Sequence, residues 1–276
     1  MSAPLRVAVL GLGEAGAEFA RDLVAAGADV RGYDPKAAAP QGVQVRVSDA
    51  DAVRDAELVF SLTTAHEAES ALRDALPALM PGTVWAEANT ATPASKVRLA
   101  DEAAAAGVEL VDVAIMAPVP GRGIRVPMQV SGPPAARFAA MMRRVGIRVE
   151  QTPGPVGVAS SRKLLRSVVY KGVAAAVVEA LAGAEAAGCA DWFREHIAGE
   201  FVSFDADTLE RLITGTYAHA ARRTEEMDAA ARQLADLGVT PRIASATRDA
   251  LRAIALETAS GGGTQHVGTE SLGEHR

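Results

Sequence analysis

Residues 6 to 16 read RVAVLGLGEAG, and residues 28 to 34 read ADVRGYD. The first stretch is an apolar run, Arg6 to Leu10, entering a turn that supplies Gly11, Gly13 and Gly16, with Leu12, Glu14 and Ala15 between and beside them. The second is strand-like and ends on Asp34. Strand, glycine turn, helix, strand and acid, in that order, are the parts that hold the pyrophosphate and ribose of a dinucleotide. Gly11 permits the tight turn, Gly13 lets backbone approach the phosphates, and Gly16 lets the helix lie close to the strand. The amides at that helix N-terminus then face negative charge.

The same alternation continues outward. Strands are expected at Arg6–Leu10, Asp29–Tyr33, Val43–Val47, Leu58–Leu62, Val84–Glu87, Leu110–Ile115, Met128–Ser131 and Arg148–Gln151. Helices are expected near Glu14–Ala26, Ala65–Ala75, Pro93–Ala106 and Ala135–Val145. Strands alternating with helices imply βαβ units and a largely parallel, doubly wound sheet. Thr92-Pro93 reads as an N-cap with proline at the first helical position, and Gly107 as the stop of that helix. After Thr152-Pro153-Gly154-Pro155 the strand rhythm ends and helices follow at Val158–Ala187, Trp192–Ala198, Ala206–Tyr217 running on through Arg232, and Thr240–Ala255. The fold class is therefore α/β, an N-terminal Rossmann-type sheet followed by an all-α C-terminal domain. The expected limits are 1–152 for the nucleotide domain, 153–258 for the helical domain and 259–276 for a polar, Gly-rich, disordered tail.

Composition narrows the class. With 49% hydrophobic residues the chain of 276 is a packed globular protein, and its net charge of −6 argues against a nucleic-acid partner. A single cysteine, Cys189, excludes an intramolecular disulfide and fits a reducing compartment. No signal peptide and no convincing membrane span are expected, so the expected location is cytoplasmic. Apolar residues from Leu164 to Leu181 spread round most of the long helix, which should be buried on several sides. A helical domain of that size has too few partners for such a helix, and a homodimer formed through it is expected.

Several residues are placed to carry chemistry. Asp34 can accept from the ribose hydroxyls and repel a 2′-phosphate, which favours NAD over NADP; Lys36 and Arg31 lie near enough to hold a phosphate instead. Thr63, Thr64, Asn89 and Thr90 sit on loops leaving strands at their carboxyl ends, where a parallel sheet places its ligand, although ordinary turn and cap chemistry reads equally well. The strand from Asp112 breaks at Met116, Ala117 and Pro118 into a loop with Arg122 and Arg125, which could clamp a substrate anion or stand in solvent. Only four of the 28 basic residues are lysines. One of them, Lys163, opens the long helix, where burial would lower its pKa and suit it to proton transfer. Ser167, Tyr170 and Lys171 follow at helical spacing on the same side, Lys171 being equally readable as a structural or dimer contact. His219, Arg222, Arg223 and Glu226 form a further one-face stripe, read as solvated. The five histidines offer no metal-ligand spacing.

With these motifs in view the chain resembles the β-hydroxyacid dehydrogenase superfamily, the group of 3-hydroxyisobutyrate and 6-phosphogluconate dehydrogenases. GLGEAG matches its opening glycines, and EANTATP matches its DxSTxxP-like segment, with Asn89 where serine is usual. The Asp112–Pro118 stretch corresponds to its substrate loop, but Met116 and Ala117 replace the serine-glycine-glycine core. Residues 157 to 167, GVASSRKLLRS, correspond to its GxxxKxxxN element, which puts Lys163 at the catalytic lysine and Ser167 where asparagine is usual. The C-terminal domain is that of a branch with a compact helical half. The resemblance implies NAD(P)-dependent hydride transfer to or from a small hydroxy or keto acid, with Lys163 exchanging the proton, Ser167 and Tyr170 orienting the substrate, and Met116, Ala117, Arg122 and Lys171 lining its site. An imine reductase on the same scaffold, and a nicotinamide-binding protein without chemistry, are the competing readings.

Overall fold

The structure, a computed structural model, describes residues 3–260. The expected tail lies outside them from residue 261 onward. By internal packing the chain divides into two compact units, one ending at Val168 and the other beginning at Val169.

The first unit is built on eight strands: β1 (Arg6–Leu10), β2 (Asp29–Tyr33), β3 (Gln44–Val45), β4 (Leu58–Ser61), β5 (Val84–Glu87), β6 (Glu109–Ile115), β7 (Met128–Ser131) and β8 (Glu150–Gln151). They form one sheet in the order β3-β2-β1-β4-β5-β6-β7-β8. The pairs from β3 to β6 are parallel, β6 and β7 are antiparallel, and β7 and β8 are parallel. The antiparallel step arises because β6 returns into β7 through the Met116–Pro127 loop with no crossover helix. Strand order reverses between β1 and β4, and a crevice opens there at the carboxyl ends of the strands.

Alternation along each strand feeds two cores. Val7, Val9, Phe60, Val84, Ala86 and Val113 face one side, against α1 (Glu14–Ala25) and α5 (Ala135–Arg144). Phe19, Phe60 and Phe138 meet there edge to face, with centroids 5.6 and 5.8 Å apart. Ala8, Leu10, Val59, Trp85 and Leu110 face the other side, against α2 (Asp49–Val53), α3 (Ala68–Ala75) and α4 (Pro93–Ala105). Both faces being covered explains why β4 and β5 are buried along their whole length.

The expected elements are present with shifted ends. β3 and β8 shrink to two residues each. The helix expected from Ala65 begins at Ala68, because Thr64 first closes a turn that takes the amides of Glu67 and Ala68. α2 was not expected; Ser48 caps it by accepting from Asp51 N.

Helix α6 (Val158–Ala186) begins in the first unit and runs into the second, which also holds α7 (Ala190–Val202), α8 (Ala206–Asp236) and α9 (Arg242–Ala259). Within the second unit the Glu179 carboxylate accepts from Ile243 N and Ala244 N, both at 2.8 Å, and so caps α9. A Cβ on Gly183 would lie 2.5 Å from Leu234 Cδ2, which marks the closest approach of α6 and α8. α8 breaks its helical backbone at His219.

Within a single chain the apolar faces of α6 are largely open. Leu165, Val168, Val169 and Val178 are 68, 72, 63 and 68% exposed. The other helices of one chain cover a single stripe of it, including Ala184, and leave the remaining apolar faces open. By length and composition alone α6 is apolar enough to cross a membrane, with a mean hydropathy of 1.4 over 18 residues, but a single such helix is weak evidence of a span.

Candidate active site

The glycine turn is built as its spacing suggests, and each glycine is required for a different reason. Gly11 has φ +85°, and its N–H donates to Tyr33 O at 2.9 Å, tying β1 to the end of β2. A Cβ there would lie 2.5 Å from Leu62 O, and one on Gly16 would lie 1.9 Å from Gly11 O. Gly13 is the opposite case, with nothing within 4 Å of a Cβ. Gly13 is also the N-cap of α1 and no side chain caps that helix, so its first amides face open space beside a cleft of about 530 Å³. An open approach, a positive helix end and two glycines that fix the turn fit a pyrophosphate.

Asp34 lies on the rim of this cleft. Its Oδ2 accepts from Leu12 N at 2.7 Å, and its Oδ1 from Lys36 N at 2.8 Å and Ala37 N at 2.9 Å. Burial pushes its pKa up, but these three N–H groups and the Lys36 charge outweigh it and hold the carboxylate below its ordinary range. A carboxylate offers roughly four acceptor positions, so Asp34 fastens the turn and retains little more than one for a ribose hydroxyl. The cleft is more acidic than the sequence suggested, since Asp49, Glu67 and Asp74 line it as well. Burial, then Asp74 and Asp34, push Asp49 up to about 6. The two nearby basic residues are engaged elsewhere. Lys36 Nζ lies 3.7 Å from Glu67, and Arg31 donates to Arg54 O.

From the cleft a chain of polar contacts runs from the carboxyl ends of β4 and β5 to Asp112 in the middle of β6. Thr63 lines the cleft, and its Oγ1 accepts from Asn89 Nδ2 at 3.3 Å. The same amide donates to Ser61 Oγ at 3.0 Å and Glu87 Oε1 at 2.8 Å. Thr64, also on the cleft, spends its hydroxyl on Glu67 Oε2 at 3.0 Å. Next comes Lys96, with no exposed surface. Its Nζ donates to Glu87 O at 2.7 Å and lies 3.5 Å from Glu87 Oε1 and 3.6 Å from Asp112 Oδ1. Asp112 in turn caps the start of α6, with Oδ2 accepting from Gly157 N at 3.1 Å and Ser160 N at 2.9 Å, and Oδ1 from Ser160 Oγ at 2.5 Å.

Lys163 stands one turn beyond that cap, partly buried. Burial above all, and then the Lys96 charge, lower its pKa from 10.5 to about 8, with Arg166 adding to the drop and Asp112 opposing it. An amine so placed is protonated at neutral pH and can release its proton with little cost, as a general acid requires.

The remaining expected residues are arranged differently. Ser167 Oγ donates to Lys163 O at 2.9 Å, back along its own helix. Met116 and Ala117 are half-buried at the end of β6. Arg122 is exposed on a loop fastened to α1, where Ile124 N donates to Asp22 Oδ2 at 2.9 Å. Asp22, which anchors that loop, lies nine residues along α1 from Gly13, about 13 Å at helical rise. Tyr170 and Lys171 are exposed and fall in the second unit. In the α8 stripe Arg222 pairs with Glu226 and Arg223 donates to Thr216 Oγ1 at 2.6 Å.

The Glu87–Lys96–Asp112 network was missed from sequence. Its signal was present: Lys96 shares one face of α4 with Leu99 and Ala103, so a lysine occupies an apolar stripe. A buried lysine demands buried carboxylates, and Glu87 at the end of β5 pairs in register with Asp112 in the middle of β6.

Comparison with known proteins bears on this arrangement. The family described as the NAD binding domain of 6-phosphogluconate dehydrogenase matches residues 6–122, and a domain of unknown function, DUF1932, matches residues 184–254. A probable 3-hydroxyisobutyrate dehydrogenase of Mycobacterium tuberculosis is 38% identical over 90 residues, which span 30% of this chain and 31% of that protein. The imine reductase of Streptomyces aurantiacus superposes with a TM-score of 0.73 at 23% identity, over 90% of this chain and 93% of that one. An imine reductase of Myxococcus stipitatus in complex with NADP+ superposes with a TM-score of 0.76 at 17% identity, over 93% and 95%. At superfamily level the chain matches the 6-phosphogluconate and 3-hydroxyacid dehydrogenase-like fold, an NAD(P)-binding oxidoreductase architecture with a candidate catalytic lysine.

Proposed function

We propose that the protein is an NAD(P)H-dependent reductase of a carbon–nitrogen double bond, with Lys163 as the proton donor. The observation that carries this reading is that the polar groups expected to receive a hydroxy or keto acid are missing or spent. Met116 and Ala117 stand at the substrate loop, and Ser167 Oγ donates back along its own helix to Lys163 O. An uncharged imine asks for none of them. Support also comes from the imine reductases that share the fold over nine-tenths or more of both chains.

Bound in the cleft, the nicotinamide supplies hydride to the imine carbon. Lys163 gives one proton to the nitrogen as that bond becomes single, leaves as a neutral amine and regains its proton from solvent. Gly13 and the α1 amides would hold the pyrophosphate, and Thr63, Thr64 and Asn89 would order the strand ends at the cofactor cleft. NAD is the preferred form in this proposal, because a 2′-phosphate would meet Asp34, Asp49, Glu67 and Asp74 with Lys36 already paired.

Residues 1–152 serve as the cofactor domain and 153–258 as the substrate and dimerisation domain of a cytoplasmic homodimer. The open apolar faces of α6, at Leu165, Val168, Val169 and Val178, favour a second copy as their cover. In this proposal Tyr170 and Lys171 act at that substrate or dimer surface. A hydroxy or keto acid as substrate is the second reading, favoured by a lysine at the position where the β-hydroxyacid dehydrogenases carry theirs. NADH and NADPH oxidation with cyclic imines against a panel of 3-keto acids tests the two. Turnover confined to the keto acids would reverse the preference, and tight NADH binding with turnover of neither would leave a non-catalytic nicotinamide-binding protein.

A further inference from the structure

We propose that Lys96 is a positioning residue for Lys163: by holding Asp112 in a buried ion network it keeps that carboxylate from pairing with the Lys163 ammonium. The proposal rests on the reading of Lys163 as the proton donor.

The geometry is specific. Burying an ammonium completely costs several kcal/mol unless its charge and donors are met. Here one carbonyl and two carboxylates meet it within 3.6 Å, and none of the three side chains has exposed surface. An apolar side chain would fill the same face of α4, beside Leu99 and Ala103, without that cost. The charged arrangement therefore has a role beyond packing.

Asp112 stands between two claims. On one side is Lys96; on the other are Gly157 N, Ser160 N and Ser160 Oγ, the start of the helix that carries Lys163. Lys96 and Asp112 act on the Lys163 amine with opposite sign, and Arg166, one turn on, adds to the effect of Lys96. Neutralising Lys96 leaves Asp112 free to stabilise a charged Lys163, so the amine becomes a weaker acid. Neutralising Asp112 does the reverse and loosens the α6 cap as well. Exchanging both Glu87 and Lys96 for neutral residues removes one charge of each sign and leaves Asp112 held by the Gly157 and Ser160 donors alone.

The test reads the amine directly, without substrate. The chain has four lysines, so amine acylation across a pH series, mapped by peptide mass spectrometry, gives a half-reaction pH for Lys163. In the wild type that midpoint should fall well below the ordinary lysine value of 10.5. In Lys96→Met, and in the folded double variant Glu87→Gln/Lys96→Met, it should rise by about one pH unit. Lys96→Arg, which retains the charge, should keep it low. An unchanged Lys163 midpoint in the double variant overturns the proposal, as does a wild-type midpoint at the ordinary lysine value. A shifted midpoint in a protein that turns over no imine or keto acid would count against the proposed function alone. Turnover that depends on Lys163, with a midpoint indifferent to Lys96, would count against this inference alone.

Discussion

Replacing Lys163 with methionine should make the protein more stable at neutral pH while disabling it. The side chain keeps its length and loses its charge. In the folded chain the amine titrates at about 8 against 10.5 in the unfolded chain, so its protonated form is disfavoured by folding. At 1.36 kcal/mol per unit this amounts to at most about 3 kcal/mol at pH 7, an upper bound because the amine is partly exposed. The sign follows from proton counts. Below pH 8 both states hold the proton and the cost is present in full. Between pH 8 and 10.5 the unfolded chain binds more protons than the folded one, so wild-type stability gains with pH relative to the variant. Urea unfolding of both proteins at pH 7 and pH 9.5 measures the gap. Lys163→Met should be the more stable at pH 7, and its advantage should shrink by up to about 2 kcal/mol at pH 9.5. A variant no more stable than wild type at pH 7, or a gap that ignores pH, would refute the claim that burial and Lys96 hold this amine below its ordinary range.

Gly13→Ala should fold with wild-type stability yet lose NADH affinity by fluorescence titration, because its Cβ meets no protein atom and projects into the cleft. Gly16→Ala should be destabilised by more than 2 kcal/mol in urea, since its Cβ would lie 1.9 Å from Gly11 O. Asp34→Asn should shift the ratio of NADPH to NADH affinity by about tenfold toward NADPH, as one carboxylate facing a 2′-phosphate is removed. Val178→Glu, on an exposed part of α6, should convert a dimer to a monomer in sedimentation velocity without altering the circular dichroism.

Much of the first unit was legible because its signals are local. The turn from Gly11 to Gly16 and the Thr92-Pro93 start of α4 depend on residues next to one another in sequence. The helix α2 is only five residues long, too short to show a period, and its cap lies in Ser48 alone. The network of Glu87, Lys96 and Asp112 joins three separate elements, so only the sheet order brings them together. The cover of α6 is a different kind of question. Apolar residues on every side state that the helix must be covered, but not whether by the same chain, and here the chain itself leaves Val168 and Val178 open.

The central claim is that Lys163 donates the proton in nicotinamide-dependent reduction of an imine. Its most direct test is the rate of NADH oxidation with a cyclic imine as substrate, compared between wild type and Lys163→Ala. Wild-type turnover, with a loss of about 10²- to 10⁴-fold in the variant and NADH affinity nearly unchanged, is the predicted result. Equal turnover in the two proteins would contradict it.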